Sequence, residues 1–414
     1  MREMKDSGIP CIGEVAKEFQ ILRLKNVAEI LDQFRKPITA DQRNQDADVL
    51  YDYYGASGVI DKIDGYTIDD HVMLIGEDGA NLRMRNLPLM YEVNGKAWIN
   101  NHAHILKPKE NILFRYLFLT LEGLDINPYI TGSAQPKLNQ ENLRNIWLPV
   151  PQINMQQAIV DSLDREYAKV DTLIANVQAQ IEKLTAYKQS VITEVVTKGL
   201  DTNVPMKDSG VEWIGATPVH WPIIPSKFLF VNCDERRREN DVQLTASQKY
   251  GMISQEEYMR RENVRIVLAD KGLENWKHVE PFDFVISLRS FQGGIEMSEV
   301  TGCATWHYIV LRARQKIHPY YYKWLFKSSM YITALQKTCN YIRDGQDLRY
   351  SNFVKVPLCI PSLDEQRQIA DYLDRKCTQI DRLIAIKQEK IEKLEQYKRS
   401  LIYEYVTGKK EVTA

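Results

Sequence analysis

The chain has 414 residues, of which 44% are hydrophobic and 26% charged, and its formal net charge at pH 7 is −1. This balance is typical of a soluble globular protein with two or more domains, and it excludes disordered and fibrous proteins. The most apolar stretch, Ile112 to Leu124, contains Arg115 and Glu122 and is too short to cross a membrane. The first residues have no apolar segment of the secretory type, so we expect a cytoplasmic protein without a membrane association.

The six cysteines are scattered, without any Cys-x-x-Cys pair, and they predict neither a zinc cage nor a disulfide framework. His102 and His104 share one face of a predicted strand, but no third ligand lies near them in the sequence. We therefore predict no metal site. The near-zero net charge means that any surface for nucleic acid must be a local one.

One unit of sequence occurs twice. Pro151–Thr197 matches Pro361–Thr407 without a gap, and about half of the positions are identical. Upstream, Met4–Gly8 followed by Ile12 and Gly13 recurs as 206–210 followed by Ile214 and Gly215. The segments between these repeats do not align. A repeated frame thus carries two different inserts.

The longer repeat predicts two helices of about 40 residues, each roughly 60 Å long. Pro151 and Pro361 precede them, and Gly199 and Gly408 suit their C-terminal ends. Apolar residues recur every seven positions, which indicates an antiparallel coiled coil between the two copies. The alternative is that each helix packs separately on its own domain. The residues predicted to pair the helices are Leu163, Val170, Ile174, Val177, Ile181, Leu184, Leu373, Ile380, Ile384, Ile391 and Leu394.

Each insert has mixed helix and strand character. Strands are predicted at 71–75, 97–99 and 283–287, and helices at 112–121 and 320–335. The fold class is therefore α+β, with two globular α/β domains joined by two long helices in a pseudo-two-fold internal repeat. The predicted boundaries are residues 1–150 and 201–360 for the globular domains and 151–200 and 361–414 for the helical spacers.

Motifs for catalysis are missing. The sequence has neither a phosphate loop of the Gly-x-x-x-x-Gly-Lys type nor a Gly-x-Gly-x-x-Gly motif. Asn127-Pro128-Tyr129 is similar to the Asn-Pro-Pro-Tyr loop of amino-methyltransferases, but it lacks one proline and the glycine-rich motif of that class. We predict a protein that is not an enzyme and holds no cofactor, and these absences argue against a fused methylase–nuclease.

Nucleic-acid contacts are predicted where basic and amide side chains occur near turns. Residues 312–349 carry eight Lys or Arg interleaved with aromatic residues, a pattern suited to gripping phosphates and reading bases. The alternatives are an ordinary solvated basic face and, for the turns before the long helices, a structural role. The predicted DNA-binding residues are Arg83, Arg85, Asn101, His102, Gln135, Lys137, Arg289, Ser290, Gln292, Arg343, Gln346 and Arg349.

The whole chain resembles the specificity subunits of type I restriction–modification systems. The resemblance rests on 206–215 with Trp221, on the proline exits at 148–151 and 360–361, on 363–366 with Ile369, and on the duplicated helices. The first half departs from the pattern, with Ile153-Asn-Met-Gln156 in place of the acidic form and Pro10-Cys11 in place of Glu-Trp. These changes predict that the first helix differs from the second in its capping and packing.

The resemblance implies two target recognition domains, each reading one half of an asymmetric bipartite site in double-stranded DNA. It implies that the conserved helices act as a spacer and dock two methylase subunits, and that motor-nuclease subunits cleave unmodified DNA. S-adenosylmethionine, ATP and Mg²⁺ would then belong to the partner subunits. A coiled-coil scaffold that does not bind DNA, and an orphan or phase-variable specificity subunit serving methylation only, remain alternatives.

Overall fold

The structure, a computed structural model, describes residues 2–43, 47–287, 290–338 and 348–412, without the side chains of residues 291 and 292. It divides into two compact units. The first comprises Met1–Gln178 with Glu389–Ala414, and the second comprises Ala179–Gln388. Each unit thus combines one insert with parts of both long helices. In the described residues, no helix is long and apolar enough to cross a membrane.

The first unit is built around a six-stranded mixed sheet with the strand order β4-β9-β7-β8-β5-β6. All neighbouring strands are antiparallel except β5 and β8. The elements are β1 (Met4–Asp6), β2 (Glu14–Ala16), β3 (Gln20–Arg23), α1 (Leu24–Val27), β4 (Ala28–Ile30), β5 (Tyr51–Gly55), β6 (Gly58–Ile63), β7 (Ile68–Gly76), α2 (Asn81–Met84), β8 (Met90–Ile99), β9 (Ala103–Pro108), α3 (Phe114–Gly123), α4 (Gln140–Arg144), β10 (Trp147–Val150) and α5 (Ile153–Lys198).

The second unit has a smaller four-stranded sheet with the order β14-β21-β18-β19. Its elements are β11 (Met206–Asp208), β12 (Ala216–Pro218), β13 (Ile223–Pro225), β14 (Phe230–Cys233), β15 (Leu244–Ser247), β16 (Gly251–Ser254), α6 (Gln255–Glu262), β17 (Lys277–Val279), β18 (Phe284–Ile286), α7 (Ser290–Gly293), β19 (Glu296–Met297), β20 (Gly302–Ala304), β21 (Ile309–Ala313), α8 (Pro319–Leu325), α9 (Ser329–Lys337), α10 (Tyr350–Phe353), β22 (Pro357–Cys359) and α11 (Leu363–Val406). The two inserts therefore differ in their sheets, as their unrelated sequences predict.

Each insert enters and leaves its unit through one antiparallel ribbon. β3 pairs with β10 in the first unit, and β13 pairs with β22 in the second. Paired strands lie about 5 Å apart, so the two ends of each insert are neighbours in space. Each insert therefore begins and ends at the same place in the repeated frame.

The long helices α5 and α11 are 46 and 44 residues long, and they run antiparallel. In the second unit, Lys188 pairs with Asp381 at 2.6 Å and Lys387 donates to Gln180 at 2.5 Å. In the first unit, Lys398 pairs with Asp171 at 2.7 Å. The Lys188 and Lys398 contacts occupy equivalent positions of the sequence repeat, so the same interaction is made once in each unit.

The side chains predicted to pair the helices are all buried or half-buried. Leu163 and Leu373 are fully buried within the cores of their units. Leu173 and Leu383, which lie outside the seven-residue seam, are each about half exposed. The seam therefore coincides with the buried face of each helix. The predicted antiparallel pairing is confirmed, and the alternative of separately packed helices is excluded.

The helix ends follow the sequence signals. Gly199 and Gly408 both have positive φ, at 78° and 74°, the left-handed conformation that favours glycine after a helix. At the start of α11, Ser362 and Glu365 form a reciprocal capping box. The corresponding positions at the start of α5 are Gln152 and Met155. The departure noted in the first repeat is thus a real difference in capping.

Glu365 also receives hydrogen bonds from the Trp221 indole and the His220 ring, at 2.9 and 2.8 Å. Partial burial alone would raise the pKa of Glu365, but the hydrogen bonds from Trp221, His220 and Ser362 outweigh it and lower the pKa to about 2. This carboxylate joins the segment that follows the N-terminal repeat of the second half to the first turn of α11.

A buried glutamine fixes each long helix to its insert. Gln156 accepts a hydrogen bond from the Leu113 amide at 2.9 Å and donates to the carbonyls of Asn111 and Pro151, each at 3.0 Å. Its repeat partner Gln366 accepts from the His318 amide and donates to Pro361. Both glutamines are at most 2% exposed. The first helical turn is therefore tied to the chain that precedes the insert's own helix.

Candidate nucleic-acid interface

Three loops of the first unit meet at one edge of its sheet. They are the turn after β7, the β8–β9 turn and the tight turn at 131–137, and we call their meeting point the first loop cluster. The His102 ring contacts Asp78 at 2.7 Å, and Lys137 pairs with Glu77 at 3.1 Å. The Glu77 amide donates to the His102 carbonyl at 2.7 Å, and its carbonyl accepts from Leu138 at 2.7 Å.

The first loop cluster contains four of the predicted DNA-binding residues. Asn101, His102, Gln135 and Lys137 are all exposed. Gly132 makes the tight turn possible, because it has φ of 77° and a Cβ there would lie 2.3 Å from the Gln135 carbonyl oxygen. The structure thus brings together side chains from segments more than 30 residues apart, with amide, imidazole and ammonium groups at one surface.

Buried polar groups hold these loops in place. His104 is 1% or less exposed, and its ring contacts Asp32 and the Leu138 carbonyl oxygen, each at 2.7 Å. Arg35 bridges Glu77 and the Asn101 carbonyl oxygen. Burial opposes ionisation of Asp32, but its bonds to His104 and the Ile105 amide prevail and lower its pKa. His104 is therefore a support for the loops rather than a strand-face partner of His102.

A cavity of about 540 Å³ opens beside Asn101 and His102. Arg43 lines it, with its guanidinium 4.6 Å from the centre of the Tyr53 ring and 3.2 Å from Asp61. The Arg43 Nε is buried and has no hydrogen-bond acceptor among the described residues. Sequence reasoning missed both Arg35 and Arg43, because neither lies in a motif and each reaches the cluster only through the fold.

Two predicted residues of this unit contact backbone. Arg83 is exposed and donates to the Ile130 and Gly132 carbonyls at 3.0 and 3.4 Å. Arg85 donates to the carbonyls of Glu122 and Leu124 at 2.6 and 2.8 Å, and burial lowers its pKa. Arg85 thus holds the C-terminal end of α3, and this structural role explains the residue without a contact to DNA.

In the second unit, most predicted DNA-binding residues cannot be placed. Arg289, Arg343 and Gln346 lie outside the described residues, as does the side chain of Gln292. Ser290 is 1% exposed, and its hydroxyl accepts a hydrogen bond from the Ser287 amide at 2.8 Å. Arg349 is exposed at the start of α10.

The basic and aromatic stretch at 312–349 is largely structural where it is described. Tyr321, Tyr322 and Tyr331 are fully buried in the core of the second unit. The predicted helix at 320–335 is two helices, α8 and α9, separated at Ser328, whose hydroxyl donates to the Leu325 carbonyl. Three of its four lysines form ion pairs with acidic residues from other segments, at Lys323–Glu299, Lys327–Glu296 and Lys337–Glu212. Core packing thus explains the aromatic half of this pattern.

Comparison with known proteins identifies the family. The model for the type I restriction–modification DNA specificity domain matches residues 16–183 and again residues 233–396, together well over half of the chain. The two matches fall on the two halves of the internal repeat.

A Methanocaldococcus jannaschii protein assigned as the MjaX type I restriction enzyme specificity subunit is 22% identical over 437 aligned positions, covering 96% of this chain and 95% of that one. A Haemophilus influenzae protein assigned as a type I restriction enzyme specificity subunit is 34% identical over 141 residues, about a third of either chain.

The fold agrees with that of a solved chain from a study of complex assembly and conformational transition of the type I restriction–modification system. The TM-score is 0.62 at 12% identity, and the match covers 95% of this chain and 98% of the solved one. Members of this family supply DNA specificity to their complex and are themselves non-catalytic. The chain belongs to the type I restriction–modification specificity family, as a DNA specificity subunit.

Proposed function

We propose that the two inserts read the two halves of an asymmetric, bipartite site in double-stranded DNA, one half each. The observation that carries this proposal is the pair of ribbons β3·β10 and β13·β22, by which a repeated frame holds two inserts of different sequence and sheet order. An insert that closes on itself can differ from its neighbour without disturbing the frame. In this proposal, residues 1–150 and 201–360 are the recognition domains, and 151–200 and 361–414 are the helical spacers.

The paired helices set the gap between the two half-sites and dock two methylase subunits. At 1.5 Å per residue, a helix of 46 residues is roughly 69 Å long, about two turns of B-DNA. Motor-nuclease subunits complete the restriction complex. S-adenosylmethionine, ATP and Mg²⁺ bind to the partner subunits and not to this chain. Side chains outside the seam, such as Leu173, Leu383 and Ile386, are about half exposed and offer apolar surface for docking.

In the first recognition domain, the first loop cluster is the proposed reading surface. Asn and Gln side chains pair bidentately with adenine in the major groove, and Lys contacts guanine or phosphate. Asn101 and Gln135 are therefore assigned to base recognition and Lys137 to affinity. In the second domain, the proposal retains Arg289, Gln292, Arg343, Gln346 and Arg349.

The experiment is an adenine methylome of cells that carry the methylase gene with and without this gene. We expect a gapped, asymmetric methylation motif only when this chain is present. An unchanged methylome in cells that produce both proteins would refute the role in specificity and favour a scaffold that does not read DNA. Methylation without any restriction of unmodified phage would identify a chain that serves methylation only.

Variants of the first loop cluster refine the assignment. Asn101→Ala should change or relax one half of the motif, whereas Lys137→Ala should weaken DNA binding by the assembled methylase on all sequences and reduce the salt slope by about one. Glu110→Ala, at an exposed residue outside the cluster, serves as the control. A normal motif and normal affinity in both cluster variants would show that the DNA binds elsewhere.

A further inference from the structure

A cluster of acidic and basic side chains surrounds His278 in the second unit, away from the residues assigned to DNA. His278 lies in β17, and its amide donates to the Glu235 carbonyl at 2.8 Å, so the segment after β14 runs alongside β17. This backbone pairing brings Glu235, His278 and Glu280 together. One ligand atom from each of the three lies within 4.8 Å of the other two.

The His278 ring is fully buried, and its two nitrogens have different surroundings. Nδ1 lies 2.8 Å from a carboxylate oxygen of Asp241, which is itself 8% exposed. Nε2 is buried without a hydrogen-bond partner among the described residues, and it lies 3.6 Å from Glu280 Oε1. A neutral imidazole that donates from Nδ1 leaves an Nε2 lone pair beside a carboxylate oxygen, and a metal ion bound by both groups satisfies both acceptors.

The buried His104 of the first unit provides a contrast. Both of its ring nitrogens have partners at 2.7 Å, namely Asp32 and the Leu138 carbonyl oxygen. The structural role of His104 thus uses both of its ring nitrogens. His278 is satisfied at one.

The charge around His278 is negative. The ion pairs recorded among the described residues join three carboxylates to two guanidinium groups, and a fourth carboxylate, that of Asp241, pairs with His278. These six charged groups leave two negative charges when the histidine is neutral. The members of this network are Glu235, Asp241, Glu280, Asp283, Arg238 and Arg312. One divalent cation would balance it.

Arg238 marks where that cation would lie. Its Nη2 atom is 2.5 Å from Glu235 Oε1 and 3.2 Å from Glu280 Oε1, so it bridges Glu235 and the Glu280 oxygen that lies 3.6 Å from His278 Nε2. The Arg238 side chain is about half exposed and belongs to a surface ion pair, which contributes little stability. Arg312 contacts the other oxygens, Oε2 of Glu235 and Oε2 of Glu280, at 3.5 and 3.6 Å. Arg238 can therefore leave without removing the second guanidinium.

We propose that Glu235, His278 and Glu280 form a binding site for a divalent transition-metal ion of the Zn²⁺ type, with Asp241 holding the histidine ring. A histidine nitrogen and two carboxylate oxygens are a set that Zn²⁺ accepts, and at bonds of about 2.0 Å tetrahedral ligands lie roughly 3.3 Å apart. The 3.6 Å between Nε2 and Glu280 Oε1 is close to this separation. Asp241 accepts the hydrogen bond from the other ring nitrogen, as carboxylates do for metal-bound histidines.

This site departs from the sequence-based prediction of no metal site. His278 and Glu235 are 43 positions apart, so they form no local sequence motif that would predict a metal site. Three protein ligands leave the fourth position to water. The proposal is independent of which DNA sequence the chain reads.

The test is a zinc titration of the full-length chain after removal of metals with a chelator, followed by competition with a chromophoric chelator. We expect one site of high affinity in the wild-type chain. Glu235→Gln and Glu280→Gln should each weaken it at least about 10-fold, and Asp241→Asn should weaken it by about 10- to 100-fold. Arg238→Gln should strengthen binding, because it removes the competing cation. Glu274→Gln, an exposed substitution four residues from His278, is the control.

Co²⁺ substitution distinguishes this site from zinc bound by cysteines. The proposal predicts visible bands of a nitrogen and oxygen environment, which Glu280→Gln abolishes while circular dichroism shows a folded chain. Equal zinc binding by the wild-type chain and the Glu235→Gln/Glu280→Gln double variant would overturn the proposal, and so would thiolate charge-transfer bands. His278 would then have a structural role only.

Discussion

Truncation of Gln156 would measure how firmly the first long helix is fixed to its insert. The Gln156→Ala change removes three hydrogen bonds at once, those to Leu113, Asn111 and Pro151. The Gln156 side chain and Pro151 are buried, whereas Asn111 is exposed and Leu113 is partly exposed, so only the bond to Pro151 is fully buried. A buried polar group left unsatisfied costs about 1–3 kcal/mol, so we expect a loss of about 1–3 kcal/mol in the free energy of unfolding of the first unit.

The assay is urea unfolding combined with hydrogen exchange of peptides from the first unit, because the two units need not unfold in one transition. The neighbouring Gln157→Ala is the matched control, since Gln157 is exposed and bonds only to Asp161 within its helix. Gln366→Ala should destabilise the second unit by a similar amount, because its hydrogen bond to the Pro361 carbonyl is also buried. If Gln156→Ala lies within about 0.5 kcal/mol of Gln157→Ala, the reasoning is refuted.

Three further outcomes follow from the helix contacts. Gly123→Ala would place a Cβ 2.2 Å from a side-chain carbon of Ile402, so we expect the free energy of unfolding, measured in urea, to fall by about 1–3 kcal/mol. An unchanged urea midpoint would show that the end of α3 does not pack against α11. Because the folded pKa of Glu365, about 2, lies below its ordinary value, its contribution to stability is present above pH 4.5 and is lost as the pH falls toward 2. The urea midpoint of the wild-type chain should therefore fall more steeply below pH 4.5 than that of Glu365→Gln, and parallel curves would contradict this. Asp171→Asn and Asp381→Asn break equivalent ion pairs and should each cost no more than about 1 kcal/mol, and clearly unequal costs in thermal unfolding would mean that the two contacts are not equivalent.

The two repeated helices were predictable from the sequence because local and periodic residue patterns determine them. The seven-residue spacing of Leu163, Val170 and Val177 identifies a buried helix face, and all three are 4% or less exposed. Proline before each helix and glycine after it fix the ends within a few residues. The repetition of the whole segment then predicted that the copies pair.

The candidate reading surface was only partly predictable, because it is assembled by tertiary contacts. Asn101 and Lys137 were identified from their residue types, but Arg35 reaches the same loops from 66 positions away. The tyrosines of α8 show the opposite error. Because they alternate with basic residues, we predicted that they belong to a nucleic-acid surface. Tyr321 and Tyr322 are instead buried in the core of the second unit. That core is formed by several elements, so the sequence of one helix does not reveal it.

The most direct measurement exchanges residues 20–150, from β3 to β10, for the corresponding segment of a family member with a different target, and then determines the adenine methylome. The closed ribbon predicts that the hybrid folds and methylates a motif with one half-site changed and the other half and the gap retained. A change in both half-sites, or in the gap, by a folded and active hybrid would contradict the account that each insert reads its own half of the DNA site.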